Sequence, residues 1–332
     1  MNVNNQKKSA FVAIIGRPSA GKSTLLNKMC GGKVAIVSRV PQTTRNAIRG
    51  IVNSDKGQLV FIDTPGRHSS EKKMNKRLME VSQRALAESD LALYVLDASR
   101  LPGSEEEEIA ALLAPLAERI IFAVNKTDIQ SADTAKAEEF INKHFFISSG
   151  AADSAEGIPQ PCGTLIKLPK VPKRDSRIHL ISAVTGNGID ELLSTLFEMA
   201  PEGQPLYGEE YYTDQETGFR IAEIIREQAI NRLRQELPHS LYVEIADMEF
   251  KNIGEDLNSR VNLWVRAFIM VERESQKGMV VGRGGEMIKA IRQGALKELK
   301  KIFDWKIDLD LRVKTGKDWR HNDFTLKKII GA

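Results

Sequence analysis

Cysteine is nearly absent. Cys30 and Cys162 are the only two in 332 residues, far apart and in unrelated contexts, which excludes a disulfide framework or a metal knuckle and predicts a reduced, cytoplasmic setting. Long apolar runs are missing as well, and those present fall well short of a membrane span. The polar stretch from Met1 to Ser9 lacks the apolar segment of a secretory signal, so the chain is expected to stay where it is made. The histidines His68, His144, His179, His239 and His321 are scattered, with no second ligand at metal spacing, which argues against zinc. Aromatic residues make up 6% of the chain, few enough to weigh each tryptophan singly. Trp264 and Trp305 lie in apolar strand patterns and read as core, whereas Trp319, between Lys317 and Arg320, leaves stacking on a nucleic-acid base open. No internal repeat and no low-complexity tract is present.

What is there is an ordinary globular composition, 42% hydrophobic and 28% charged, in a chain longer than one typical domain. The net charge of +4 is unevenly placed: from Lys277 onward there are 14 Lys and Arg against 7 Asp and Glu, which leaves the first 276 residues at −3. A basic tail fits a polyanionic partner or a solvated basic helix face. Through residue 201, short apolar runs (Phe11 to Ile15, Leu59 to Ile62, Leu91 to Leu96, Ile120 to Val124, Ile178 to Ile181) alternate with helical stretches. That rhythm predicts an α/β domain, a parallel-rich sheet with helices on both faces. Residues 145–176, dense in Ser, Gly and Pro, break the rhythm and read as a loop insertion. Pro201 opens a linker over 202–217. Residues 218–332 then carry a helix from Phe219 stopped by Pro238, two strands, a helix pair from about Glu286 and a last strand near Lys306 to Val313, a smaller α+β domain.

Gly16-Arg17-Pro18-Ser19-Ala20-Gly21-Lys22-Ser23 follows an apolar strand and precedes a helix. In that place, backbone N–H groups of Ser19, Ala20, Gly21 and the helix start through Thr24 are predicted to cradle phosphates. Lys22 reaches the β and γ oxygens, and Ser23 offers a hydroxyl to Mg2+. Asp63-Thr64-Pro65-Gly66 follows the run ending at Ile62, at the sheet edge where such ligands bind. Asp63 is predicted to hold Mg2+ through water, and the Gly66 amide to sense a γ-phosphate. Asn125-Lys126-Thr127-Asp128 follows Val124. The Asp128 carboxylate can accept from guanine N1–H and the 2-amino group, whereas ATP would leave it unpaired at a cost on the order of several kcal/mol. Ser182-Ala183 would supply an N–H to guanine O6. The polar segment from Ser38 to Arg45 can order around Mg2+ and the γ-phosphate, with Thr44 its expected Mg2+ ligand and Thr43 next. GTP and GDP are therefore the expected ligands, with Mg2+ as cofactor.

These motifs, with Gln42-Thr43-Thr44-Arg45, resemble the translation-factor-related GTPases. Glu223-Ile224-Ile225-Arg226-Glu227, Glu236-Leu237-Pro238-His239-Ser240, Val271 to Lys277 and Val281-Gly282-Arg283-Gly284-Gly285 narrow the resemblance to the Era family. It covers nearly the whole chain and is weakest over 145–176. It implies GTP hydrolysis and a type II KH domain that binds the 3′ end of 16S-type ribosomal RNA, in a monomer that matures the small ribosomal subunit and associates loosely with the inner membrane. Gly282, Arg283, Gly284 and Gly285, with Lys289 and Arg292 on the following helix, are the implied RNA contacts: small residues let a nucleic-acid backbone approach, and the helix N-terminus faces phosphate. Two positions depart from the family. It commonly carries Asn at the place of Ser19, where it helps to hold K+, and the shorter Ser weakens that contact. Arg67 and His68 follow Gly66 where many GTPases have a water-orienting Gln, so no catalytic residue is assigned. A GTPase serving RNA modification would need a catalytic cysteine or cofactor motif that is not visible. An RNA-binding protein with a structural nucleotide would show negligible turnover.

Overall fold

The computed structural model describes residues 7–38, 40, 43–65, 73–146, 174–234, 236–252 and 261–317, and 319, 322, 325, 326 and 329. They form two compact units, one of residues up to 35 with 46–214, the other of 36–45 with the chain from 215 onward.

The first unit runs β1 (Lys8–Ile15), α1 (Lys22–Met29), β2 (Ile48–Ser54), β3 (Gly57–Asp63), α2 (Lys73–Glu88), β4 (Leu91–Asp97), α3 (Ser104–Leu113), β5 (Ile120–Asn125), α4 (Thr134–Ile141), β6 (Ile178–Leu180) and α5 (Ile189–Met199). Its sheet has the order β2-β3-β1-β4-β5-β6, and every pairing is parallel except β2 with β3. Of the central strands, β3, β4 and β5 are buried along their whole length, and β1 is buried from Ala10 onward apart from a half-buried Phe11. Uninterrupted apolar runs of this kind are stable only with both faces covered. One layer packs Leu25, Leu26, Leu192 and Leu196 against Val12, Ile14 and Phe61. The opposite layer packs Ile109, Leu113, Phe140 and Ile141 against Ile15, Tyr94 and Phe122. Because the parallel strands point one way, Ile15, Asp63, Asp97 and Asn125 end at one sheet edge.

β2 has no counterpart among the expected elements. Its Gly50 is needed for close packing, since a Cβ there would lie 2.6 Å from both Leu26 Cδ1 and Cys30 Sγ. Residues 203–214, expected as a linker, lie with the first unit along this edge. The Ile51 amide donates to the Tyr212 carbonyl at 2.9 Å, Thr213 Oγ1 donates to the Arg49 carbonyl at 2.8 Å, and the Leu206 and Tyr207 amides donate to Gln58 Oε1 at 2.8 and 3.0 Å. The stretch satisfies edge-strand groups that would otherwise face solvent.

The second unit contains α6 (Thr217–Ile230), α7 (Leu237–Ser240), β7 (Leu241–Asn252), β8 (Val261–Val271), α8 (Glu274–Val281), α9 (Glu286–Ile302) and β9 (Lys306–Thr315). β8 is central, antiparallel to β7 and parallel to β9. Leu263, Val265, Ala267, Ile269 and Val271 alternate on its inner face against Ile225, Ile291, Ala295 and Leu299 of the helices. The first helix ends at Ile230, before the expected stop, and Pro238 is the second residue of α7, where its missing N–H costs nothing. Segment 36–45 belongs to this unit. The Val37 amide donates to Glu227 Oε1 at 2.9 Å, and Arg45 donates to the Leu241 carbonyl at 2.9 Å. The Arg45 guanidinium lies 5.4 Å from the centre of the Trp319 ring. Trp319 is 2% exposed, its Nε1 donating to the Ser240 carbonyl at 3.1 Å, so it is core and not a platform for a base. Trp264 and Trp305 are only half-buried. Most of 145–176 lies outside the described residues.

Candidate functional site

The loop between β1 and α1 is shaped by two glycines with different tasks. A Cβ on Gly16 would lie 2.4 Å from the Val95 carbonyl oxygen, so the loop can cross β4 only as glycine. Gly21 sits at φ +98°, and a Cβ on it would lie 2.3 Å from Asn125 Nδ2. Ser19 adopts the left-handed region at φ 64°, unusual outside glycine. Gly21 leaves the N-terminus of α1 without a side-chain cap, so its first N–H groups remain for an anion. The Lys22 ammonium spans the loop, donating to the Gly16 and Arg17 carbonyls at 2.8 and 2.9 Å. Burial lowers its pKa to about 8, partly offset by Asp63 and Glu105. Phosphate oxygens arriving here would restore the charge that burial disfavours.

Ser23 Oγ donates to Asp63 Oδ2 at 2.6 Å. A hydroxyl and a carboxylate this close are the hard oxygen donors that Mg2+ takes, so the pair fits that ion. Thr64, next in the chain, donates to the Ile14 carbonyl at 2.8 Å and fixes the end of β3 against β1. Thr44 is buried within the second unit, and the carbonyl of Thr43 accepts from Arg226 at 2.5 Å. Gly66, Arg67 and His68 lie outside the described residues.

Asn125 is 1% exposed and joins three loops. Its Nδ2 donates to the Ala20 carbonyl at 2.9 Å, and its Oδ1 accepts from the Ala183 amide at 2.9 Å. Thr127 is fixed by two bonds from its amide and hydroxyl to the Ile181 carbonyl, at 3.2 and 3.0 Å. The Ser182 hydroxyl accepts from the Thr185 amide at 3.1 Å, closing the turn that leads into α5. Asp128 is exposed at this rim. Ser19, Ala20, Gly21, Lys22, Ser23, Asp63, Asn125, Lys126, Asp128, Ser182 and Ala183 thus gather at the carboxyl edge of one sheet, with Thr24 in the first turn of α1.

Sequence reasoning passed over three residues here. Asp97 ends β4 with its side chain 2% exposed, and its Oδ2 accepts from Lys126 Nζ at 2.7 Å. Burial opposes its charge, but the Lys126 ammonium and the Ser99 hydroxyl and amide overcome it and hold the carboxyl below its ordinary pKa. Arg17 lies 3.5 Å from the same oxygen and 2.9 Å from Glu106 Oε1. The available signal was position, since Asp97 ends an apolar run as Asp63 and Asn125 do.

In the second unit, α8 and α9 are joined through Gly282, Arg283, Gly284 and Gly285. The three glycines have φ of 75°, 61° and 82°. Cβ atoms at Gly284 and Gly285 would meet nothing within 4 Å, so backbone conformation selects glycine there and the outer side is open. Gly285 precedes α9 without a side-chain cap. Arg283 and Lys289 are exposed, whereas Arg292 donates to the Leu309 carbonyl at 2.6 Å and is tied to β9.

Residues 11–126 match the family described as 50S ribosome-binding GTPase, and 236–320 match the KH domain. GTPase Era of Treponema denticola is 49% identical over 323 residues, 97% of this chain and 99% of that one. The crystal structure of Aquifex aeolicus Era bound to GDP and AlF4- is 31% identical with a TM-score of 0.81, covering 97% of this chain and 98% of that one. An Era structure in complex with MgGDPNP and nucleotides 1506–1542 of 16S ribosomal RNA is 31% identical with a TM-score of 0.82, at the same coverage.

Proposed function

The chain belongs to the Era family of GTPases, and from that premise we propose a GTP-driven switch that binds the 3′ end of small-subunit ribosomal RNA and assists maturation of that subunit. Asn125 carries the nucleotide half of the reading. It fastens the phosphate loop at Ala20 to the base loop at Ala183, with Asp128 exposed beside them to accept from guanine N1–H and N2–H. Phosphates meet the N–H groups of 19–24 and the Lys22 ammonium, whose two carbonyl partners they replace. Mg2+ would be held by Ser23 directly and by Asp63 through water, and would neutralise charge between the β- and γ-phosphates. Thr44 joins that set when the 36–45 segment orders around the γ-phosphate, and Gly66 senses the same group. Arg67 does not orient the attacking water, so hydrolysis is slow until RNA or a partner protein orders these segments. Single-turnover hydrolysis by Arg67→Ala checks this, and a drop on the order of a hundredfold would assign Arg67 to catalysis instead. K+ is not expected to activate strongly, because Ser19 stands where the family commonly has Asn.

RNA is received on the open side of Gly282–Gly285, where the α9 N-terminus and the exposed Arg283 and Lys289 meet the backbone. Cytoplasmic residence with loose peripheral contact at the inner membrane completes the reading, and lysate fractionation tests it. No helix among the described residues is long and apolar enough to cross a membrane. Gel-shift titration of RNA 3′-end fragments, with GDP and with a non-hydrolysable GTP analogue, tests the switch, and equal affinities would refute it. Arg283→Ala and Lys289→Ala should each weaken binding across sequences and reduce the salt slope by about one.

A further inference from the structure

Asp97 belongs to none of the nucleotide motifs, yet the residues that converge on it come from two of them. Lys126, in the base loop, has a left-handed backbone at φ 70°. Its ammonium lies 2.7 Å from Asp97 Oδ2, and its side chain remains 25% exposed. Fixed at both ends, the Lys126 side chain has one course open to it, and what it offers a bound base is its methylene stem. The buried carboxylate is itself held from behind: Oδ1 accepts from the Ser99 amide at 3.0 Å and from the Ser99 hydroxyl at 2.5 Å. Arg17 of the phosphate loop approaches Oδ2 at 3.5 Å while bonded to Glu106, whose other oxygen accepts from the Gly103 amide at 2.8 Å.

We propose that Asp97 is a positioning residue for guanine-nucleotide affinity: it anchors the Lys126 ammonium so that the stem forms a fixed wall of the base site. This rests on the guanine site proposed above. Asp97 touches neither the phosphates nor the reacting oxygen, so its loss acts on binding rather than on the hydrolytic step. Asp97→Asn keeps the shape and removes the anchoring charge, whereas Lys126→Met keeps the stem and removes the ammonium from a partly exposed side chain.

The test uses the full chain, titrated with GDP and ADP and assayed for GTP hydrolysis. Asp97→Asn and Lys126→Met are each expected to weaken GDP by about tenfold or more and to raise KM for GTP, with kcat changing less than about threefold. The double variant should lose no more than about twofold beyond either single one, since both cut one interaction. Multiplying losses, or a fall in kcat with GDP affinity kept, would overturn the proposal; the second would place the role of Asp97 at the phosphate loop through Arg17. Should Asp97→Asn fail to fold, Lys126→Met decides against Lys126→Ala: equal losses support the anchor, and parent-like GDP binding by Lys126→Met refutes it. A parent chain that bound GDP and ADP alike would instead sink the guanine reading and this inference with it.

Discussion

Replacing Asn125 by Ala should loosen the nucleotide site before any nucleotide is present. The side chain satisfies two backbone groups, the Ala20 carbonyl and the Ala183 N–H, each at 2.9 Å. Both residues are buried, at 0% and 4% exposure. An unsatisfied buried group costs about 1–3 kcal/mol, so two put the loss at about 2–6 kcal/mol. Truncation leaves room for a water that could serve one of them, which favours the lower half of that range. The cost falls on local opening of the base loop, and hydrogen exchange of the nucleotide-free protein reads it at the Ala183 amide. A loss of about 2 kcal/mol is about thirtyfold in protection. Asn125→Asp separates the two bonds, because it keeps the acceptor for Ala183 but sets a second oxygen against the Ala20 carbonyl. Ala183 should then stay protected while the phosphate loop opens. Unchanged exchange in nucleotide-free Asn125→Ala, alongside lost GDP affinity, would refute the reasoning and confine Asn125 to contact with the base.

Lys22 makes stability depend on alkaline pH. Its folded pKa of about 8 lies below the ordinary lysine value of 10.5, so between those values the unfolded chain holds a proton that the folded chain lacks, and stability rises with pH through that window. The gain is about 3 kcal/mol for nucleotide-free protein; it should be absent from Lys22→Met and so appear in full in the parent-minus-variant difference measured by denaturation. Phosphates restore the charge, so calorimetry in buffers of different ionisation enthalpy should find proton uptake on GDP binding near pH 9 and little at pH 7. Ser19→Asn should raise the ratio of GTP hydrolysis in K+ to that in Na+ by several-fold. The left-handed φ of 64° at Ser19 suits Asn, and its longer amide reaches further toward the phosphates; an unchanged ratio would clear Ser19. Trp319→Ala should destabilise the second unit by about 3–5 kcal/mol in urea unfolding. Trp319→Phe should leave RNA affinity unchanged, where a base-stacking role would lower it.

The site was legible in the sequence because each motif is local and sits where an apolar run stops. The strand ending at Ile15 announces the phosphate loop, Ile62 announces Asp63, and Val124 announces Asn125, and a parallel sheet brings all three ends to one edge. β2 was hidden because Arg49 and Gly50 interrupt its apolar pattern, and the reason for Gly50, the approach of Leu26 and Cys30, exists only in the folded chain. The stretch 203–214 has the composition of a linker, but composition does not show that Gln58 and the edge of β2 will supply partners for it. The place of Trp319 stayed open in the sequence because its basic neighbours say nothing of Ser240 and Tyr242 on the buried side.

Spacing within a motif encodes what must touch the ligand, but not what holds those groups still. Asp97 and Lys126 are 29 residues apart, Asn125 and Ala20 are 105 apart, and Asn125 and Ala183 are 58 apart. Each pair is set by strand order alone: β1, β4, β5 and β6 are successive neighbours in the sheet, so loops remote in sequence become adjacent at its edge. A carboxylate at the end of β4 therefore reaches both flanking loops, Arg17 on one side and Lys126 on the other. Once an apolar run is assigned to the strand between the phosphate-loop strand and the base-loop strand, a polar residue at its carboxyl end is a candidate for support of the site on topology alone. Asp97 occupies that position in this chain.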